Sequence, residues 1–374
     1  MLDIDITIVG AGVIGLAVAA ELADHRRQVY VLERNERFGL ETSSRSSEVI
    51  HSGIYYPPGS LKATTCVKGN ALIYELCDKY EIGCKRLGKL IVATDNQEVE
   101  ELEMLLDRGR ENGVKGLKML SGREIKAVEP NVEALAGILS PFTGIIDSYG
   151  LMRYFAGKAQ EKGASVVYKS EVVGIDKVSD GYKVTVADDS GIFSFKTAVV
   201  INCAGLSSDR VAALAGVDMI QAGYKLHYCK GEYFSVGRDK GGLVKRLVYP
   251  VPERKGAGLG IHVSLNLEGR MLLGPNARYL DRIDYRVDEA QRVGFAYSVK
   301  RFLPFIEPED LEPEMAGIRP KLQGSGDEFR DFVITEESHR GLPGLINLIG
   351  IESPGLTSAP AIAELVSGMV RGLI

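Results

Sequence analysis

IDITIVGAGVIGLAVAAELADHRRQVYVLE, residues 4–33, decides the fold. IDITIV (4–9) reads as a short buried parallel strand. Gly10, Gly12 and Gly15 follow as GAGVIG, and LAVAAELADH continues as an apolar helix. A second strand, QVYVLE, ends at Glu33, 23 positions after Gly10, close to the spacing of about 20 expected for a dinucleotide fingerprint. The glycines make the tight turn and let backbone amides approach a pyrophosphate at the helix N-terminus. Glu33 can accept hydrogen bonds from both hydroxyls of an adenosine ribose and would repel a 2′-phosphate, so NADP is not expected. GxGxxG alone is weak evidence, because tight strand–helix turns recur by chance. With strand, helix, second strand and terminal acid all in place, the dinucleotide reading stands well above that alternative.

Working outward, the same half-motif recurs late and split. TAVVINCAG (197–205) reads as a strand ending at the small residues Ala204 and Gly205. LPGLINLIGIESPGLTSAPAIAELV (342–366) gives another strand, a glycine turn and a helix beginning near Thr357. Two helix N-termini, far apart in sequence, thus fall on one sheet edge. A plain C-terminal strand–helix unit would look similar, but the SPG turn leaves backbone amides free above a helix start. A long two-part ligand such as FAD would use both ends, its pyrophosphate on the first and its flavin pyrimidine on the last. The candidate cofactor contacts are Gly10, Gly12, Gly15, Glu33 and Arg34 at one end and Pro354, Gly355, Leu356 and Thr357 at the other. Val173, Ala204 and Gly205 complete the set outside the serine loop taken up below.

Between these ends, residues 86–94, 224–236, 243–251, 259–267 and 270–275 show short β-branched and aromatic runs separated by Gly and Pro turns. Helices are expected over 62–80, 97–112 and 150–162, and VVYKSEVVGIDKV (166–178) returns to the first sheet. The expectation is an α/β (α+β) fold, a Rossmann-like FAD-binding domain with a second, mainly antiparallel β-sheet substrate domain. Residues 1–83, 141–217 and 331–374 are assigned to the first and 84–140 and 218–330 to the second.

The 374 residues suffice for two domains of roughly 150 residues each. A net charge of −5 argues against a nucleic-acid partner, which wants a basic face. No apolar run approaches the roughly 20 residues of a membrane span. The start, MLDIDITIVGAG, enters a strand directly, with no basic region of a signal peptide. The five cysteines lack CxxC spacing and are odd in number, which suggests reduced thiols rather than disulfides or a metal site. The expected location is cytoplasmic, or peripheral to a membrane.

GAGVIG with Glu33, VVINCAG and GIESPGLTSAPAIAELV together resemble the FAD-dependent oxidoreductases of the D-amino-acid oxidase and glycerol-3-phosphate dehydrogenase superfamily, over nearly the whole chain. Three longer strings, SSRSSEVIHSGIYYPPGSLKA (43–63), YPVPERKGAGLGIHVSLNLEGRMLLGPNA (249–277) and GIRPKL (317–322), resemble its L-2-hydroxyglutarate dehydrogenase branch. That resemblance implies oxidation of a small 2-hydroxy acid to the 2-oxo acid by hydride transfer to FAD. It also implies that the loop 43–63 crosses beneath the cofactor toward the flavin. No residue shows a clear attachment motif, so the FAD is expected to be noncovalent.

Ser43, Ser44 and Ser46 of this loop can donate to pyrophosphate oxygens and Arg45 can neutralise them; the bland alternative is a solvated serine-rich turn. His51 is the preferred base for the hydroxyl proton, since imidazole titrates near neutrality, although a packed histidine or a flavin link would use the same position. His262, in the alternating strand GLGIHVSLN, is the rival base. Arg319 is the candidate for the substrate carboxylate, because a guanidinium fork matches that group and because related amine oxidases use the arginine of a similar Gly-x-Arg-Pro string. An interface salt bridge would explain Arg319 as well. Lys321 would share its face on a strand, and Tyr55, Tyr56 and Lys62 are candidates for a second carboxylate.

Three other readings stay open. Glycerol-3-phosphate dehydrogenase and an amino-acid or secondary-amine oxidase belong to the same superfamily, although a phosphate substrate would want a denser cationic cluster near 45–62. A FAD-binding electron-transfer or assembly subunit would need no substrate of its own. The electron acceptor, whether a quinone, oxygen or a carrier protein, is not specified by any motif.

Overall fold

The structure, a computed structural model, describes residues 2–252 and 258–374. Residues 253–257 of the 249–277 string therefore lie outside the described residues.

The strand Ile4–Val9 sits near the middle of an eight-stranded sheet. It pairs in parallel with Val29–Leu32 on one side and with the end of Gly191–Asn202 on the other. Gly191–Asn202 pairs in parallel with Leu342–Ile349, and Val29–Leu32 with Ser165–Val167. The carboxyl ends of these strands share one edge, which is where open α/β sheets take ligands. The helix Val13–Leu22 is almost wholly buried between sheet and neighbouring helices, so its residues are apolar on nearly every side, with Glu21 alone charged, rather than on one stripe. Leu16 and Val18 are fully buried there, each a burial of about 1.5–3 kcal/mol.

Two glycines of the first turn have a steric reason. Gly10 holds φ +103°, and a Cβ on it would lie 2.6 Å from the Cys203 carbonyl oxygen. A Cβ on Gly15 would lie 2.0 Å from the Gly10 oxygen. Any larger residue at either position would push the helix off the sheet. The helices Leu61–Tyr80 and Gly355–Arg371 pack on the same layer.

A nine-stranded sheet forms the second layer of the molecule. It is built mostly of antiparallel pairs, led by His227–Val236 against Leu311–Lys321. One pair departs from the expected antiparallel pattern: Leu247–Pro250 runs parallel to Lys89–Ala93. These strands are separated by more than 150 positions, so no hairpin turn constrains their direction. A three-stranded sheet, Val49–Ile50, Gly144–Ile146 and Cys84–Lys85, carries the chain between the two larger sheets. Among the described residues no helix is long and apolar enough to cross a membrane.

Candidate active site

A cavity of about 1470 Å³ runs from the glycine turn to the second sheet. Ordinary small-molecule pockets hold about 300–1,000 Å³, so this one suits a long ligand and a second, smaller molecule. Its first end is lined by Gly10, Gly12, Glu33, Arg34, Ser43, Arg45, Ser46, Val173, Ala204 and Gly205. Glu33 is buried and uses both oxygens on the turn beside it: Oε2 accepts from the Ala11 amide at 2.9 Å, and Oε1 from the Asn35 amide at 2.9 Å and the Asn35 side chain at 2.8 Å. The carboxylate thus stiffens the turn while facing the cavity. Ser43 Oγ accepts from the Val13 amide at 3.0 Å, which ties the serine loop to the helix start. Arg45 lies 4.2 Å over the Tyr285 ring, and its buried Nε has no partner. Arg34 is held by Glu41 and donates to Ser207 Oγ at 3.1 Å.

This end fits the adenosine and pyrophosphate of FAD on its own geometry. Gly12 leaves open a cradle that a Cβ would narrow to 3.1 Å from Ser43 Oγ, and the unpartnered Arg45 Nε supplies a cation beside it. The start of the helix Val13–Leu22 adds its positive end.

Three expected contacts fall elsewhere. Ser44 is exposed, donates to the Glu41 carbonyl at 3.4 Å and does not line the cavity; the short 3₁₀ turn Thr42–Ser44 points it away. Gly15 packs beneath the turn rather than on the cavity wall. Thr357 is fully buried, and its Oγ1 accepts from the His51 amide at 2.9 Å and donates to the Val49 carbonyl at 3.2 Å. It therefore fixes the backbone under His51. Pro354, Gly355 and Leu356 do line the cavity, and the helix starts at Gly355, two residues earlier than expected.

The inner end gathers the remaining predicted residues, His51, Tyr55, Tyr56, Lys62, His262, Arg319 and Lys321. His51 is buried. Its Nε2 faces Ser353 Oγ at 3.3 Å, and its Nδ1 has no partner. Burial pushes its imidazole well below the ordinary value, and nearby Lys89 and His262 push the same way. His262 stacks on Tyr249 with ring centroids 3.6 Å apart, and its Nδ1 sits 2.8 Å from the Gly260 carbonyl. That carbonyl can only accept, so Nδ1 carries the hydrogen and Nε2 is left as the basic nitrogen. Burial lowers this imidazole to about 3. Arg319 lies opposite Cys229 in the strand pair and donates to the Asn276 carbonyl at 3.3 and 3.2 Å. A carbonyl leaves its charge uncompensated.

Lys62 and Lys321 differ from expectation. Both Nζ atoms lie 3.0 Å from the same oxygen, Oε1 of Glu352, and all three residues are buried. They form one cluster of net charge +1 rather than two free cations. Burial pushes the Glu352 carboxyl up, but the two ammonium groups outweigh it and hold it below the ordinary carboxylate range. Glu352 and Ser353 are site residues that the sequence reading missed, although both lie inside the quoted GIESPG. Tyr249, on the cavity wall, and Lys89, buried behind it, were missed as well. The signal available for Lys89 was a lysine opening the apolar run KLIVA, where a strand buries every position.

Residues 5–369 match the family described as FAD dependent oxidoreductase. The chain is 39% identical to "L-2-hydroxyglutarate dehydrogenase, mitochondrial" of Arabidopsis thaliana, over 96% of this chain and 82% of that one. It is 32% identical to "Glycerol 3-phosphate dehydrogenase" of Caloramator mitchellensis, over 99% of this chain and 74% of that one. Among solved structures it is similar to dithionite-reduced L-alpha-glycerophosphate oxidase from Mycoplasma pneumoniae with FAD bound. The TM-score is 0.85 at 28% identity, covering 98% of this chain and 94% of the other. A glycine turn capped by Glu33, a cavity long enough for a two-part cofactor and a match along almost the whole sequence lead to one conclusion: this chain belongs to the FAD-dependent oxidoreductase family.

Proposed function

We propose that this chain oxidises a small 2-hydroxy acid to the 2-oxo acid, and that L-2-hydroxyglutarate is the acid. One observation carries the reading. The inner cavity offers two cationic groups, Arg319 and the Lys62–Glu352–Lys321 cluster, with two neutral imidazoles on the same walls. A dicarboxylate with a hydroxyl between its charges matches that layout, and the 39% identity to the Arabidopsis thaliana enzyme supports it.

FAD, bound noncovalently, supplies the two-electron oxidant that accepts hydride from the hydroxyl-bearing carbon. The chain's own residues do the rest. Arg319 holds the carboxylate beside that carbon, and the lysine–glutamate cluster holds the distal one. His51, on the cavity wall beside Ser353, takes the proton of the substrate hydroxyl. Tyr55 and Tyr56 close the wall above. The proposed division of the chain places residues 1–83, 141–217 and 331–374 around the cofactor and 84–140 and 218–330 over the substrate. The membership of the two large sheets supports that division. A cytoplasmic or membrane-peripheral location is supported by five cysteines that are all free.

A second reading, oxidation of glycerol 3-phosphate, is favoured by the Caloramator mitchellensis and Mycoplasma pneumoniae relatives. Dye-linked turnover with L-2-hydroxyglutarate, L-lactate and glycerol 3-phosphate separates the two. One charged hydrogen bond contributes about 1.5–3 kcal/mol, a factor of roughly 10–150. The dicarboxylate should therefore exceed lactate by at least about tenfold in kcat/KM. A preference for lactate would remove the second carboxylate site, and a preference for glycerol 3-phosphate would replace the reading.

A further inference from the structure

Lys89 lies behind the site and takes no part in the function described above. It is fully buried on the strand Lys89–Ala93 and does not line the cavity. Its Nζ has no hydrogen-bond partner and, among the described residues, no ion pair. Instead it sits 4.4 Å from the centroid of the Tyr55 ring and 4.5 Å from that of Tyr249. The same Tyr249 ring carries the His262 imidazole stacked on it at 3.6 Å. His51 faces the cluster from its own loop. Two aromatic faces are the kind of surface that accepts an ammonium without an anion.

The groups that face Lys89 offer no negative charge, and Glu352, beside Ser353, is already taken up by Lys62 and Lys321. Cys66, on the helix Leu61–Tyr80, faces Lys89, but burial pushes its thiol up and keeps it protonated. Arg319 faces His262 from the strand Leu311–Lys321 and is itself a cation. Tyr55 and Tyr249 have buried hydroxyls, and burial pushes both up. Ser353 faces His51 and does not titrate. The cluster thus sets three basic nitrogens on and just behind the cavity wall, with no anion among the groups that face Lys89. One proton is stabilised there by the tyrosine faces; a second would meet the first at short range in a low dielectric.

We propose that Lys89 is a positioning residue that takes the first proton entering this cluster and so adds to burial in keeping His51 and His262 as neutral imidazoles. Their use as acceptors of a substrate hydroxyl proton rests on the function proposed above, whereas their protonation state does not. The direction of each shift agrees. Burial brings the Lys89 amine down to about 7, so it becomes charged in the range where a histidine would ordinarily do so. On His262 burial acts first, the Gly260 carbonyl works against it, and the Lys89 and Arg319 cations add to it.

The test is a pH titration by NMR of the FAD-loaded protein carrying labelled histidine and lysine, between pH 9 and 5.5. In the wild type, both site imidazoles should stay unprotonated across the range while the Lys89 amine titrates close to pH 7. In Lys89→Met, His51, on which Lys89 is the strongest influence after burial, should become protonated within this range, where the wild-type residue does not. The acid limb of substrate-driven flavin reduction should move up with it, and Lys89→Arg should restore the wild-type imidazoles. A wild-type site histidine that protonates above pH 6 would overturn the proposal. So would a Lys89 amine still charged at pH 9, or a Lys89→Met protein with unchanged imidazoles. If Lys89→Met does not fold, Lys89→Gln takes its place with the same two outcomes. If the titration runs as expected but no hydroxy acid reduces the flavin, the proposed substrate fails and the role of Lys89 stands.

Discussion

Glu352→Gln separates charge from shape at the inner end of the cavity. In the wild type one carboxylate oxygen neutralises one of two buried ammonium groups, each 3.0 Å away. The amide keeps the volume and one acceptor but leaves two lysines facing each other with net charge +2. Removing one partner from a buried ion pair typically costs about 3–5 kcal/mol. The free protein should therefore lose about that much unfolding free energy. The opposite should hold once a dicarboxylate is bound, because its distal carboxylate then fills the place of the missing charge. Ligand stabilisation follows RT ln(1 + [L]/Kd). A variant that binds L-2-hydroxyglutarate tighter should thus recover more stability at a given ligand concentration than the wild type does. Urea unfolding of FAD-loaded protein, with and without the acid, measures both. A variant as stable as wild type would refute the charge cluster. A destabilised variant that gains no extra stabilisation from the dicarboxylate would refute its role in holding substrate.

Glu33→Gln should weaken FAD retention by about 1.5–3 kcal/mol, one charged hydrogen bond, without changing the rate of flavin reduction in molecules still loaded; an unchanged FAD affinity would take Glu33 out of the adenosine site. Arg319→Lys keeps the charge but loses the fork, so turnover should fall while FAD stays bound, and full activity would show that the carboxylate is held elsewhere. His51→Ala should slow flavin reduction by about 10²–10⁴-fold, and a larger loss in His262→Ala with little in His51→Ala would exchange their roles. The buried imidazoles also set a stability trend. The folded His262 value, about 3, lies below that of the unfolded chain, so below about pH 6.5 the unfolded state binds the proton and the folded state does not. Stability should then fall with decreasing pH by up to about 1.4 kcal/mol per pH unit for this residue. His262→Gln should show a correspondingly shallower slope in unfolding free energy between pH 6.5 and 5.

The parts of this molecule legible in the sequence are those set by neighbours in the chain. The strand–turn–helix at 4–22 follows from local pattern, and Gly10 and Gly15 follow from turn geometry. Arg319 and both histidines could be singled out because guanidinium and imidazole carry recognisable chemistry. What could not be read depends on pairing across long separations. Lys62 meets Glu352 across 290 positions, so a lysine singled out for a substrate carboxylate proved to share its charge with an acid that no local pattern marks. Thr357 looked like a helix-start donor to a ligand, yet its hydroxyl holds the strand before His51, 306 positions away. Ser44 repeats its neighbours in composition, and only the 3₁₀ turn shows that it faces outward. Lys89 had a local signal, a charge opening a fully buried strand, but its partners are aromatic rings from two other segments.

The most direct measurement is anaerobic mixing of the yellow, FAD-loaded protein with substrate while the flavin absorbance is followed by stopped flow. L-2-hydroxyglutarate should bleach the flavin in a single turnover and yield one equivalent of the 2-oxo acid, with glycerol 3-phosphate and L-lactate far slower. A flavin that stays yellow with L-2-hydroxyglutarate and bleaches with glycerol 3-phosphate would contradict the account.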